Sequence, residues 1–557
     1  MNAMRLNVAK CNAHTYVGTT PLTPRLVMAF NSVLFLFVFA PLVFLIDRFL
    51  RGRGSNMWLL VASILFYAWG EPTFVFVVLA SSVIDYAIVG TMHRSTHQSR
   101  RKALMLLAVV ANVGLLVYCK YLNFFADAFH ALLPSVPVPH VEMLLPLAIS
   151  FLVFEKITYI VDVYRNVSAP ASRLRDYLLF VFVFPKLLAG PILKFHEVIG
   201  QLTIRRPTLD EFGHGLGRFL MGLAKKVLIA DSVSGIADQL FSANPEHAGF
   251  GIAWMGAIAF AVQIYFDFSG YSDMAIGLAR FLMGLAKKVL IADSVAGIAD
   301  QLFSANPEHA GFGIAWMGAI AFAVQIYFDF SGYSDMAIGL ARMLGIRLPE
   351  NFRQPYLATG FSDFWRRWHI SLSSWIREYL YISLGGNRVS PARVYVNLWL
   401  CFLASGLWHG ANYTFIAWGA FHGIWVCADH MGMKNLWTRM PRALGVLITF
   451  ALVTIGWVLF RAPTIEHAIT LIGTMFQPWK ASQFSLNVQL LPLVTLAIGL
   501  VLCFIPLERV LAGWRALPER VSRWAALLPA AGLVLFAAWT YGRVFTSTFT
   551  PFIYFKF

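Results

Sequence analysis

Stretches of apolar residues, each nearly long enough to cross a lipid bilayer, recur along almost the whole chain. Their cores lie at 30–46, 57–69, 74–89, 103–119, 143–161, 415–427, 443–460, 488–504 and 525–541. A full crossing by a helix needs about 20 residues. Charged residues make up 13% of the sequence and hydrophobic residues 58%, with a mean hydropathy of +0.66. Ordinary globular domains carry about 25% charged residues. The chain therefore reads as an all-α polytopic membrane protein. Of its five cysteines, Cys119, Cys401, Cys427 and Cys503 sit in apolar segments and Cys11 stands alone, so no disulfide framework is expected.

The net charge of +16 would suit nucleic acid, but its distribution argues against that partner. Arg48, Arg51 and Arg53 follow the first apolar run, His93, Arg94, Arg100, Arg101 and Lys102 come two runs later, and Arg165, Arg173 and Arg175 two runs after that. Basic residues in alternate loops are the positive-inside pattern, which puts these loops in the cytoplasm and the region around Ala29 outside. Residues 1–27 are polar and lack the layout of a cleaved signal peptide. Translation is expected to begin at Met28, the plainer alternative being that 1–27 form a disordered periplasmic tail, with 28–557 as the membrane domain in either case.

Inside that domain, residues 218–279 recur as 280–341 with one difference, Ser234 against Ala296. Architectural repeats keep a pattern while diverging. Near-identity instead indicates a recent duplication or an assembly error, helped by the similarity of 215–220 to 339–344. Each copy holds an amphipathic run (219–241 or 281–303) and an apolar run (252–266 or 314–328). If both runs cross, each copy is an out-and-back hairpin and topology downstream survives. The arginines that follow (Arg342, Arg347, Arg353, Arg366, Arg367) favour this hairpin.

Two histidines carry the strongest chemical signal. His409 lies in Gly-Leu-Trp-His-Gly-Ala-Asn (406–412), after a run that is apolar except for Asn397 and Ser405 and before a break at Gly410-Ala-Asn412. His369 lies in Phe-Trp-Arg-Arg-Trp-His-Ile-Ser-Leu-Ser-Ser-Trp (364–375). An ionisable ring at membrane depth costs a few kcal/mol and is a functional-site hypothesis by default. Neutral imidazole is also the commonest general base. The plainer alternative for His409 is a core histidine bonded to a carbonyl where the helix breaks. At 100° per residue Trp365, Trp368, Leu372, Trp375, Ile376 and Tyr379 form one apolar stripe with His369 at its edge. This predicts an interfacial helix with its tryptophans at headgroup depth and Arg366, Arg367 and Arg377 toward the cytoplasm. On that reading His369 either acts chemically or merely anchors the helix.

Other segments say less. Asp-Phe-Ser-Gly-Tyr-Ser-Asp (267–273, again 329–335) has two carboxylates but no histidine or third acid beside them. It is expected to be a polar helix end, and no metal site is expected. Phe184-Pro-Lys-Leu-Leu-Ala-Gly-Pro-Ile192 breaks an apolar segment with two prolines and a lysine. Such backbone is tolerated at depth only when buried in protein or lining a cavity, which predicts a re-entrant segment. Glu155 and Lys156 lie within 143–161, and adjacent helical residues do not face each other. Each is expected to line a cavity or meet a partner on another helix. Phosphate loops, dinucleotide fingerprints, zinc spacings and nucleophilic-serine elbows are absent from the sequence.

Taken in order, 184–192, 329–350, 364–388, 406–412, Trp457-Val-Leu-Phe-Arg-Ala462 and the ending Pro-Phe-Ile-Tyr-Phe-Lys-Phe (551–557) resemble the membrane-bound O-acyltransferase family, in its alginate O-acetyltransferase branch. The resemblance runs from Met28 to the last residue, and the tandem copy departs from the family plan. It implies a helical bundle around a tunnel or funnel through a thinned membrane, with His409 as the catalytic residue and His369 as a second essential polar position. It also implies an acetyl donor on the cytoplasmic side (acetyl-CoA, with no bound cofactor), a bacterial inner-membrane location, and a periplasmic partner that completes transfer to the polymer. Arg366 and Arg367, with Trp365 and Trp368, are the candidate donor-binding residues, although arginines there also serve membrane anchoring. Three readings of function stay open: acetylation of an exopolysaccharide such as alginate, acetylation of another envelope polymer (cellulose, peptidoglycan or a teichoic-acid-like chain), and a non-enzymatic role in polysaccharide export.

Overall fold

A computed structural model of the protein describes residues 34–50, 53–134, 146–187, 190–203 and 311–481, with single residues and short pieces near 28, 32, 136 and 497–506. Among the described residues there are helices and no strands. They are α1 (Ala40–Phe49), α2 (Arg53–Gly70), α3 (Phe74–Arg94), α4 (Gln98–Leu116), α5 (Leu122–Leu132), α6 (Ile149–Tyr164), α7 (Leu174–Phe182), α8 (Phe184–Leu187), α9 (Phe195–Thr203), α10 (Phe312–Met343), α11 (Phe361–Arg367), α12 (Ile370–Trp375), α13 (Pro391–His409), α14 (Tyr413–Ala428), α15 (Lys434–Arg439), α16 (Arg442–Arg461) and α17 (Ile465–Met475). Three stretches among them are long and apolar enough to cross a membrane: Phe74–Arg94, Gln98–Leu132 and Arg442–Arg461. They contain the expected cores 74–89, 103–119 and 443–460. The cores 57–69 and 415–427 fall inside α2 and α14. The helix expected over 143–161 begins only at Ile149. The core 525–541, most of 488–504, the N-terminal 27 residues, all of the first tandem copy and the second as far as 310 lie outside the described residues.

Helices α13 and α14 form a tight antiparallel pair, and small residues explain why. A Cβ on Gly406 would lie 2.2 Å from the carbonyl oxygen of Phe415, and one on Gly419 would lie 2.4 Å from that of Phe402. With no side chain at either point the two backbones can touch, and van der Waals contact of this kind drives helix association where lipid is as apolar as leucine. Pro391 opens α13 at a position where its missing N–H costs nothing. Asn412 opens α14, its side chain accepting from Thr414 N at 3.0 Å. The break read at 410–412 is thus a three-residue connection that ends in the Asn412 cap of α14.

Helix α10 carries the end of the second tandem copy into the core, against α8, α16 and α17. It is one continuous 32-residue helix. The Asp-Phe-Ser-Gly-Tyr-Ser-Asp run at 329–335 therefore lies within a helix and not at its end, because the flanking apolar turns continue the packed face on both sides.

The adjacent charges Glu155 and Lys156 of α6 find partners on other helices, as expected of neighbours that cannot face each other. Lys156 Nζ lies 3.0 Å from Asp85 and donates to Ser81 Oγ at 2.8 Å. Glu155 pairs with Lys186 of α8 and accepts from Leu193 N at 3.3 Å. Removing one member of such a pair costs about 3–5 kcal/mol, because the other charge stays buried. The Glu155–Lys186 pair also pins the broken segment after Phe184, whose described part is buried in protein.

Candidate active site

The tryptophan-rich stretch is not one helix. It breaks at His369, whose φ of +44° is left-handed, leaving α11 before it and α12 after it. Left-handed backbone costs a non-glycine residue about 1–2 kcal/mol and persists where surrounding structure fixes it. Here Ile370 N donates to Asn351 O at 2.9 Å, and Arg353 N donates to Arg367 O at 2.9 Å. The turn splits the predicted stripe in two. Trp368 packs with Trp457 and Tyr327, whereas Leu372, Trp375 and Tyr379 join a separate cluster with Trp408. Trp368 and Trp375 are therefore protein core and not headgroup anchors.

The same turn delivers the His369 ring to the interior, 1% exposed. Asn351 sets its chemistry. The Asn351 Oδ1 accepts from Ser371 N at 3.1 Å and from Ser371 Oγ at 2.9 Å, which identifies that atom as the amide oxygen. His369 Nδ1, 3.2 Å from the same oxygen, must then be the donor. That tautomer leaves Nε2 as a bare acceptor, and it is a buried atom without a partner among the described residues. Asn351 Nδ2 donates to Ser334 Oγ at 3.0 Å, tying this network to α10. His369 lies between two short helices and outside any spanning one. Burial pushes its pKa down to about 3, so the ring is neutral at physiological pH.

His409 is the last residue of α13 and is 5% exposed. Its ring is edge-on to Trp408, Trp418 and Phe460 at 4.8, 5.0 and 5.1 Å between centroids. Trp408 also contacts the His369 ring at 6.1 Å, so one indole separates the two histidines. A third histidine, His422 of α14, stands on the other side of Trp418 at 4.8 Å. It is fully buried, and neither ring nitrogen has a partner among the described residues. Sequence reading passed over His422, although it lies in the apolar run 415–427 and the argument used for His409 applies to it equally. Asn351 gave no such signal, because its role depends on a turn that brings together residues 18 apart.

One side chain away from this cluster lies a cavity of about 420 Å³, whose wall holds none of the three histidines. Its wall includes Arg366 and Arg377, Trp365, Ser405 of α13, Phe402 and His430. Ser405 is one helical turn from His409, and the ring of Trp365 touches those of Trp418 and His422 at 5.7 and 5.1 Å. Of the four candidate donor-binding residues, the structure places Arg366 and Trp365 on the cavity. Arg367 instead pairs with Asp363 at 2.9 Å, and Trp368 packs in the core behind.

Buried imidazoles one side chain away from a cavity with cations on its wall suit proton removal from a hydroxyl and binding of an anionic donor. The architecture is that of a helical membrane transferase. The chain belongs to the membrane-bound O-acyltransferase family and is an acyltransferase: the family's sequence model matches residues 272–465, a span that holds both histidines. Over 493 residues it is 39% identical to a Pseudomonas aeruginosa protein named probable alginate O-acetylase AlgI, covering 86% of this chain and 82% of that one. A Pseudomonas putida protein of the same name is 37% identical over 554 residues, covering 95% of this chain and all of that one. A Helicobacter pylori protein named peptidoglycan O-acetyltransferase is 34% identical over 485 residues, with 81% and 80% covered. Family membership decides against a purely non-enzymatic export component.

Proposed function

We propose that this chain takes an acetyl group from acetyl-CoA on the cytoplasmic side of a bacterial inner membrane and passes it outward for O-acetylation of an exopolysaccharide, alginate. The observation that carries this reading is the convergence of His369 and His409 on Trp408, linked through Trp418 and Trp365 to the cavity walled by Arg366 and Arg377. The arginines attract the phosphates of the donor, while the apolar wall behind them receives its thioester end. An acceptor hydroxyl attacks the thioester carbonyl carbon, His409 takes the hydroxyl proton, the C–S bond breaks, and the leaving thiolate takes up a proton. His369 accepts a hydrogen bond at Nε2 and orients the donor or shares that proton. The resemblance to the alginate branch also implies a periplasmic partner that completes transfer to the polymer. Alginate is favoured over other envelope polymers because the relatives named for it are more similar to this chain, at 37–39% identity, than the peptidoglycan enzyme at 34%.

The test is acetyl analysis of the polymers of a deletion strain carrying either the wild type or His409→Ala. The variant should insert normally and leave the secreted polysaccharide bare, a loss of about 100- to 10,000-fold if it removes the general base. Near-normal ester content in a well-inserted variant would refute the assignment, and loss of ester from peptidoglycan alone would move the acceptor to that polymer.

A further inference from the structure

The last carbonyls of a helix have no donor within it. At the end of α13 these belong to Gly406, Leu407, Trp408 and His409, and two adjacent residues of another element take the last three. Tyr121 Oη donates to Leu407 O at 2.6 Å. Lys120 Nζ donates to Trp408 O at 2.9 Å and to His409 O at 2.8 Å. Both residues come from Val117–Tyr121, a π-helical turn that joins α4 to α5. Such widened turns are rare and recur at functional sites.

The placement is costly. Lys120 lies inside Gln98–Leu132, one of the stretches apolar enough to span a bilayer. A lysine there is expensive and normally finds an acid or a set of carbonyls. Among the described residues Lys120 makes no ion pair, and its amine donates to the backbone carbonyls of Trp408 and His409. A neutral cap would satisfy the same carbonyls at lower cost, as Tyr121 already does for Leu407. The amine adds two bonds from one atom to consecutive carbonyls, which fixes the peptide plane on which the His409 ring is carried. On the far side, Gly410 leaves no room for adjustment, since a Cβ there would lie 2.0 Å from the Phe415 ring.

We infer that Lys120 is a positioning residue for His409: its amine clamps the carbonyls of Trp408 and His409 and so sets where the imidazole stands against the reacting atoms. This rests on His409 being the general base. A misplacement of about 1 Å costs on the order of 100-fold in rate.

The experiment compares full-length wild type, Lys120→Met, Lys120→Arg, Tyr121→Phe and His409→Ala in a deletion strain. It reads the initial rate of polysaccharide O-acetylation per unit of membrane-inserted protein, and the thermal midpoint of the detergent-solubilised chain. Lys120→Met should lose about 10- to 100-fold in rate with little change in midpoint, because removing a buried charge offsets the two carbonyls it leaves without a donor. Lys120→Arg, which keeps a donor fork, should recover to within about threefold of wild type. A merely structural lysine would lose rate and midpoint together and gain nothing from arginine, and that result would overturn the proposal. If Lys120→Met does not accumulate, the other two decide: near-wild-type Lys120→Arg with a partial loss in Tyr121→Phe supports the clamp, and the reverse sinks it. A wild-type rate in Lys120→Met beside an inactive His409→Ala refutes the clamp and leaves the base intact. An active His409→Ala removes both.

Discussion

Replacing Asn351 with Ala tests whether His369 works as a base held in one tautomer. The substitution removes an oxygen that accepts from His369 Nδ1, Ser371 N and Ser371 Oγ at 3.2, 3.1 and 2.9 Å. Asn351 is fully buried, so water reaches the vacated donors only through the gap the substitution itself creates. Each buried group left unsatisfied costs about 1–3 kcal/mol, so three of them give about 3 kcal/mol at the lower limit. A loss of that size lowers the thermal midpoint without preventing insertion. The effect on rate is separate: with Nδ1 released, the imidazole proton can move to Nε2 and block the acceptor. The ceiling is the whole contribution of His369, about 100- to 10,000-fold if it shares the proton transfer. The assay is the O-acetylation rate in single and double variants with His369→Ala. If Asn351 acts through His369, the double variant is no slower than His369→Ala alone, because residues of one network are not additive. Additive losses, or a wild-type rate in Asn351→Ala beside an inactive His369→Ala, would refute the reasoning.

Two further outcomes follow from the same geometry. Arg366→Ala combined with Arg377→Ala should raise the KM for acetyl-CoA about tenfold or more while leaving kcat within a few fold, since phosphate contacts on the cavity wall bind ground and transition states alike; a fall in kcat at unchanged KM would contradict that role. Deleting residues 280–341 joins Ala279 to Arg342 and rebuilds the whole sequence of α10 from the first copy, so the shortened chain should be at least as abundant and as active, and a reporter fused after Asn435 should read cytoplasmic in both lengths. Loss of activity, or a reporter that changes side, would show that the second copy is built into the working structure.

Periodicity and hydropathy alone determine that this chain is helical and membrane-embedded, because each apolar run must bury its backbone polar groups in its own hydrogen bonds. They also single out His409, since a titratable ring inside such a run stands out against its neighbours. The separation of Glu155 from Lys156 onto different partners follows just as directly from the angle between adjacent helical residues. Other features depend on contacts between residues far apart in the chain. The tryptophan stripe reads as one helix by spacing, yet a left-handed turn at His369 divides it, and that turn is held by Asn351 from another segment. The cavity exists only where α11 and α12 lie against α13, and it separates Arg366 from Arg367, which the sequence presents as equivalent. Lys120 reads as a stray charge in an apolar run until the end of α13 arrives 288 residues later to be capped by it. Local pattern fixes which segments are helices, whereas buried polar atoms take whatever partner the packing brings, and no local pattern encodes that partner.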